Sequence, residues 1–169
     1  PHNPNLPEGF FAKWEKIYGQ ANAAAFDKHN WDYYIRDVFD AFYPGYWDMY
    51  PSLNGAIGMT YETDGGGFKG LNWTRDDGTI VTFRSSIAKH FTASMSTLES
   101  NAKHKAERLL DFYDFRAKGM ADGAKAKLKR VVVVPDADRV KSAEMIELLR
   151  RSNIEGKVAS APFESRTAH

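Results

Sequence analysis

Apolar residues at helical spacing occupy the start of the chain and predict two amphipathic helices. The first pattern runs from about residue 8 to residue 25, and the second covers residues 31–42. In each pattern large side chains recur at three- and four-residue steps, so one side of the helix is apolar and is expected to face a core. The second helix is expected to end at Tyr43-Pro44-Gly45, because proline and glycine break helices.

A longer helix is predicted from Ser85 or Ser86 to about Lys118, where Gly119 provides a stop signal. Apolar residues recur at helical spacing along its whole length and define an apolar stripe. The stripe consists of Ile87, Phe91, Met95, Leu98, Ala102, Ala106 and Leu109.

Two stretches in the middle of the chain have the patterns of strands. Residues 55–62 form a short apolar run that is typical of a buried central strand, and the glycines that follow Asp64 are expected to end it. Residues 72–83 predict a hairpin, because Asp77-Gly78 is a strong turn signal and an alternating pattern follows it.

The end of the chain predicts a βαβ unit. A β-branched run at residues 131–134 and a second short run at 157–161 flank a predicted helix at 138–151. Two strands joined through a helix require a parallel sheet. The small and basic residues at 119–130 are interpreted as a linker with solvated charges. Together these elements predict an α/β fold.

Glu62 ends the predicted strand at 55–62 and is the main candidate for chemistry. Strands of α/β sheets present functional side chains at their carboxyl ends, and apolar neighbours there can adapt a carboxylate to act as a general base near neutral pH. The alternative is a solvated glutamate beside a glycine turn. The pattern alone favours this alternative by about two to one.

The composition disfavours several classes of protein. Hydrophobic residues make up 43% of the chain and aromatic residues 14%, which argues against a disordered chain. The 23 basic and 22 acidic side chains give a formal charge of +1, which argues against a surface built for nucleic acid or anionic lipid. No cysteine is present, so thiolate metal sites are excluded. No apolar run approaches the length that crosses a membrane.

His104 and Glu107 have the spacing of a metal-binding pair. They are three positions apart, so on a helix both side chains reach the same ion. Water and the neighbouring cations Lys103, Lys105 and Arg108 compete for them, and zinc requires at least a third protein ligand. We therefore interpret the pair as part of a solvated helix face and predict no metal ligand in this chain.

Two stretches of the chain together resemble the C-terminal half of the zinc metallocarboxypeptidases, the carboxypeptidase A-like peptidases. They are the aromatic loop Tyr43-Pro44-Gly45-Tyr46-Trp47-Asp48 and the run NGAIGMTYE at residues 54–62. The second run is similar to a bacterial branch of that family. There, a late strand ends in a glutamate, matched here by Met59-Thr60-Tyr61-Glu62, and an aromatic loop shortly before it supplies a mobile tyrosine. The resemblance covers about residues 1–118 and implies a partial carboxypeptidase-like mixed sheet flanked by helices.

The resemblance also implies roles for four residues. Glu62 would take a proton from zinc-bound water and pass it to the leaving amine. Tyr43, or else Tyr46, would donate a hydrogen bond to the peptide as the loop closes. Trp47 would line the side-chain pocket, although core packing is the more economical role. The family's zinc ligands, a His-x-x-Glu pair and a later histidine, have no match here, so zinc is expected only in a longer protein, bound upstream of Pro1.

These expectations divide the chain into the C-terminal half of a catalytic domain at 1–118, a linker at 119–130 and the start of a small α/β accessory domain at 131–169. The expected function is cleavage of C-terminal residues from peptides by a secreted or periplasmic protein, in which this segment is inactive by itself. The alternative is a non-catalytic α/β module that binds a peptide or a glycan. A peptide is the expected partner, self-association is expected through exposed sheet edges, and no nucleic acid or membrane is expected.

Overall fold

The computed structural model describes residues 3–34, 41–63, 70–135 and 138–164. Within these residues the chain is mostly helical, with five helices and two short strands. None of the described helices is long and apolar enough to cross a membrane. In chain order the elements are α1 (Glu8–Asp27), α2 (Met49–Ser52), β1 (Asn72–Thr74), β2 (Ile80–Thr82), α3 (Phe83–Lys103), α4 (Lys105–Lys125) and α5 (Arg139–Arg151).

The chain divides into two compact units, Pro1–Ala121 and Asp122–His169. In the first unit, α1 packs along α3. Phe11, Trp14 and Tyr18 are buried on one side of α1, which confirms the first predicted helix and its apolar side. The buried side of α3 carries small residues, which leave room for the large rings of a neighbouring helix. These residues are Ser86, Ala93, Ser96 and Ser100.

The apolar stripe of α3 lies on the side of the helix that remains exposed. Phe91 and Leu98 expose 65% and 61% of their surface, and Ile87 and Met95 are exposed as well. The sequence pattern located the stripe correctly, but the face of α3 that is buried is the opposite one, which carries the small residues. The described residues thus leave a continuous apolar helix face open to solvent.

The long predicted helix is present, but it is interrupted once and extends further than expected. His104 separates α3 from α4 with φ −103° and ψ 19°, although its backbone N–H still donates to Ser100. Gly119 does not stop α4, because a glycine in a helix interior costs only about 1 kcal/mol relative to alanine. The helix ends at Lys125, so the first seven residues of the predicted linker at 119–130 are helical.

The segment at 55–63 is not a strand, which corrects the prediction of a buried central strand. Its residues do not pair with another strand among the described residues. Hydrogen bonds that involve side chains hold the segment in place instead. Gly58 N–H donates to Ser52 Oγ at 2.9 Å, and Thr60 Oγ1 donates to Asp48 Oδ2 at 2.9 Å. We call this segment the extended segment.

The predicted hairpin is confirmed. β1 and β2 pair antiparallel, with Trp73 opposite Val81. Gly78 adopts φ 84°, a conformation that favours glycine, and Asp77 accepts a hydrogen bond from the Thr79 N–H at 2.8 Å. Because five residues separate the two strands, the connection is longer than a two-residue turn.

The predicted βαβ unit is wrong, although its helix is present as α5. Asp138 caps α5 by accepting hydrogen bonds from the N–H groups of Val140 and Lys141. The runs at 131–134 and 157–161 are not strands, and Val158 exposes 97% of its surface. A β-branched run becomes a strand only when its backbone pairs with a neighbour, and within the described residues neither run has one.

The α/β class is therefore wrong as well. The described chain is helical with one two-stranded antiparallel sheet, and it contains neither a carboxypeptidase-like mixed sheet nor a parallel pair of strands. Residues 31–34 are not helical, and the rest of the second predicted helix falls mainly at 35–40, outside the described residues. The glycine segment at 64–69 and Asp136 also lie outside them.

Candidate functional site

Glu62 is exposed at the end of the extended segment. The residue before it is firmly anchored, because the Tyr61 hydroxyl lies 2.7 Å from Thr97 Oγ1 on α3 and accepts a hydrogen bond of 2.9 Å from Asn22 Nδ2 on α1. The expected enclosure of Glu62 by apolar neighbours is not found in the described part of the chain. The structure thus directs this carboxylate into solvent from a fixed backbone position.

The aromatic loop places all three candidate substrate-binding residues on the surface. The rings of Tyr43 and Tyr46 pack edge to face, with centroids 5.3 Å apart, and both side chains are exposed. Trp47 exposes 86% of its surface, so the economical role in core packing does not hold for this ring. Such exposed rings can stack on a ligand.

The loop and the extended segment are tied together at Asp48. This residue directly follows Trp47, and its carboxylate accepts the hydrogen bond from Thr60, two residues before Glu62. The structure therefore brings the two halves of the candidate site to adjacent backbone positions. Across the described residues, no hydrogen bond joins Glu62 to Tyr43 or Tyr46.

An open apolar groove of about 450 Å³ begins next to Glu62. Thr63, the residue after Glu62, is one of its lining residues, and the first half of α3 supplies the others. The lining residues are Thr63, Phe83, Ser86, Ile87, His90, Phe91 and Ser94. Because Ile87 and Phe91 belong to the exposed apolar stripe, the groove offers an apolar surface beside a carboxylate.

A network of charged and aromatic residues holds α1 to α4. Lys13 Nζ lies 2.6 Å from Asp111 Oδ2 and 2.8 Å from Glu107 Oε1. Trp14 Nε1 donates to the same Asp111 oxygen at 2.9 Å. His104 Nδ1 lies 3.2 Å from Glu107 Oε2. One lysine thus bridges two carboxylates of α4.

This network shifts the pKa values of its three charged members. Partial burial alone would raise the pKa of Asp111, but hydrogen bonds from Lys13 and Trp14 outweigh it and the pKa is lowered. Lys13 and then His104 lower the pKa of Glu107. Hydrogen bonds to Asp111 and Glu107 raise the pKa of Lys13. All three groups are therefore held in their charged forms.

We expect Asp111→Asn to reduce the free energy of unfolding at pH 7 by about 1 kcal/mol, a modest value because the pair is partly exposed. A carboxyl group whose pKa is lowered by folding stabilises the fold fully at pH values above its ordinary pKa, here 3.8. This contribution is lost as the pH falls below 3.8 and through the lower pKa of the folded protein. The difference between variant and parent in urea unfolding should thus shrink below pH 3.8.

Asp114→Asn, at an exposed position of the same helix, is the matched control and should change stability little at either pH. A difference between Asp111→Asn and the parent that stays constant with pH would contradict the role of the Asp111 charge.

The pair His104 and Glu107 is not arranged as a zinc site. Glu107 forms an ion pair with the Lys13 ammonium, which already provides a positive charge at this carboxylate. The His104 ring packs edge to face on the Trp14 ring, with centroids 6.1 Å apart. The described residues contain no group of three or more His, Asp and Glu side chains that could hold a metal. The pair His104 and Glu107 acts here as part of the charged network.

Sequence analysis missed the residues that organise this region. Lys13 and Trp14 contact Asp111, which lies 98 and 97 positions further along the chain. No local sequence pattern predicts such a pairing. The sequence pattern indicates Arg108 only as a cation that competes with a metal, yet its guanidinium carbon lies 5.3 Å from the centroids of both Phe10 and Trp14. The nearest signal was the run of aromatic residues in α1, since arginine often lies against aromatic rings.

The interpretation of this region rests on its own residues and their geometry. Neither a family model, nor a curated protein, nor a solved structure matches this chain.

Proposed function

We propose that the chain is part of a zinc-dependent metallocarboxypeptidase and carries its general base, Glu62. The observation that carries the proposal is the anchored Tyr61, whose hydrogen bonds to Asn22 and Thr97 fix the backbone next to Glu62. A general base has to reach its substrate from a fixed position, and this arrangement meets that requirement. The resemblance placed Glu62 at the end of a strand, and the structure has the extended segment there instead, so the proposal rests on this anchored backbone and on the residues that match the family.

The chemistry assigned to Glu62 is proton transfer during amide hydrolysis. The carboxylate accepts a proton from the attacking water as the new C–O bond forms, and it returns the proton to the amine nitrogen as the C–N bond breaks. In the same proposal, Tyr43 or Tyr46 donates a hydrogen bond to the peptide, and Trp47 contacts a substrate side chain. The zinc ligands are assigned to residues outside these 169, so the isolated chain is expected to be inactive.

The test uses the natural gene product that contains these residues and measures release of the C-terminal residue from a peptide. We expect Glu62→Gln to lower kcat by about 10²–10⁴-fold with a small change in KM, because the neutral amide cannot accept the proton. Glu99→Gln replaces another exposed glutamate and should leave the rate unchanged. Retention of the parent rate by Glu62→Gln, or no peptide cleavage at all by the gene product, would rule the proposal out.

A second candidate is a non-catalytic module that binds a peptide or a glycan. The exposed ring of Trp47 favours it, because a solvent-facing aromatic side chain can stack on a sugar ring or an apolar side chain without any reaction. A binding measurement with the same peptide, and with a glycan in its place, separates the two candidates. Recovery of an intact, bound ligand whose affinity falls with Trp47→Ala would identify the binding module.

A further inference from the structure

A small cavity of about 250 Å³ lies among α1, α3, α4 and the extended segment. One part of its wall is polar, with Tyr18, Thr97, Asn101 and Arg108, and the other part is apolar, with Ala56, Ile57 and Met59. The cavity is distinct from the groove beside Glu62, since the two have no lining residue in common.

Arg108 is held at this cavity with one nitrogen unused. Its guanidinium lies against the rings of Phe10 and Trp14, and Nη2 donates a hydrogen bond to the backbone oxygen of Gly55. Nη1 is buried and has no hydrogen-bond partner in the described part of the chain. A buried donor on a charged group is unfavourable without an acceptor, so this position requires one.

The neighbouring polar groups supply donors and one neutral acceptor, the Tyr18 oxygen beside Arg108, but no negative charge. The Tyr18 hydroxyl donates to Asn101 Oδ1 at 2.8 Å, and Asn101 Nδ2 donates to the Thr97 carbonyl at 2.9 Å, which leaves a second amide hydrogen. Burial raises the pKa of Tyr18, against the opposing effect of Arg108, so the phenol stays neutral. No lining residue is acidic, and the nearby Asp111 is bound by Lys13 and Trp14.

We propose that this cavity binds a small organic carboxylate. Arg108 Nη1 would donate to a carboxylate oxygen, since guanidinium and carboxylate groups are complementary in charge and geometry. Asn101 lines the same cavity, and its second amide hydrogen would be a further donor. The apolar part of the ligand would lie against Ile57 and Met59, which distinguishes a carboxylate with a short hydrocarbon group from an inorganic anion.

The experiment titrates the whole 169-residue chain with sodium acetate and sodium isobutyrate, replacing sodium chloride at constant ionic strength. Binding is followed by NMR through the side-chain amide of Asn101 and the backbone amides of residues 56–59. We expect saturable shifts with both carboxylates and tighter binding of isobutyrate. Acetamide, the neutral analogue of acetate, should cause no saturable shift because it lacks the charge that Arg108 binds.

Arg108→Met removes the charge and keeps an unbranched apolar chain, and it should weaken acetate binding by about ten-fold or more. Arg116→Met is the matched control. Arg116 also lies on α4 over an aromatic ring, 4.8 Å from the Phe112 centroid, and donates to a backbone oxygen, that of Asn54, but it does not line the cavity. This variant should bind acetate like the parent.

A second variant keeps the test decisive if Arg108→Met does not fold. Ala56→Leu narrows the cavity while leaving Arg108 in place, and it should abolish isobutyrate binding while acetate binding changes less. Absence of saturation with acetate, equal binding of chloride or acetamide, or unchanged affinity in a folded Arg108→Met variant would each overturn the proposal. In those cases water, not a carboxylate, satisfies Nη1.

Discussion

Replacement of Trp14 by alanine is expected to lower the free energy of unfolding by about 3–5 kcal/mol. The Trp14 side chain of α1 is completely buried. It stacks on Tyr18 of the same helix, with centroids 5.8 Å apart, and donates a hydrogen bond to Asp111 of α4. Its loss removes the largest buried side chain described and leaves Asp111 without one of its donors. Chemical unfolding, followed by circular dichroism in urea, measures the change.

Two further variants separate the causes of this effect. Trp14→Phe keeps most of the buried apolar surface but removes the N–H donor, so it should cost about 1–3 kcal/mol. Trp47→Ala removes the same kind of ring from an exposed site and should change stability by less than about 0.5 kcal/mol. A Trp14→Ala protein as stable as Trp47→Ala would show that α1 does not pack as described.

Gly58→Ala is expected to lower the free energy of unfolding by about 1–3 kcal/mol, the usual cost of inserting a group where no space exists. A Cβ atom at this position would overlap the backbone carbonyl of Asp48 and lie 2.7 Å from Ser52 Oγ. Backbone atoms cannot rotate away as a side chain can, so the extended segment has to move off α2. This movement also breaks the bond from Gly58 N–H to Ser52.

The same substitution at Gly119 provides the control. Gly119 lies inside α4, and apart from its chain neighbours and the nearby helix backbone no described atom lies within 4 Å of the position that an alanine methyl group would take, so Gly119→Ala should stabilise the protein by about 0.5–1 kcal/mol. Hydrogen exchange at residues 58–61 gives a local measure, because Gly58→Ala should speed exchange there and Gly119→Ala should not. A Gly58→Ala protein with unchanged stability and exchange would contradict the contact with Asp48.

The Gly58 prediction also bears on the proposed function. Asp48 connects the aromatic loop to the extended segment through Thr60, and the extended segment leads to Glu62. If the peptidase proposal is right, Gly58→Ala should reduce activity even where the protein remains folded. The loss should be smaller than that of Glu62→Gln, since the substitution displaces the general base without removing it.

Elements with strong local signals were predicted correctly from the sequence. The apolar spacing of α1, the Asp77-Gly78 turn of the hairpin and the cap residue Asp138 of α5 act within a few positions along the chain. Such interactions need no distant partner. In these three elements, local interactions were enough to favour the helix or the turn.

The errors that changed the fold class concern strands, whose pairing is not local. Residues 55–62, 131–134 and 157–161 have apolar or β-branched patterns, but a strand exists only when a second strand supplies its hydrogen bonds. The extended segment found side-chain partners instead, from Ser52 and Asp48. The prediction of an α/β fold depended on pairings that no local pattern could establish.

The sequence by itself determined α1, α5, the hairpin and most of the long helix that the structure divides into α3 and α4, together with the residues of the apolar stripe and the apolar run before Glu62. Only the tertiary structure decided that the small-residue face of α3 packs on α1, that Lys13 and Trp14 meet Asp111, and that Arg108 borders a cavity. The physical reason is the separation along the chain between the residues that interact. Helix spacing and turn chemistry act between near neighbours, whereas packing joins residues almost a hundred positions apart and depends on which faces fit together.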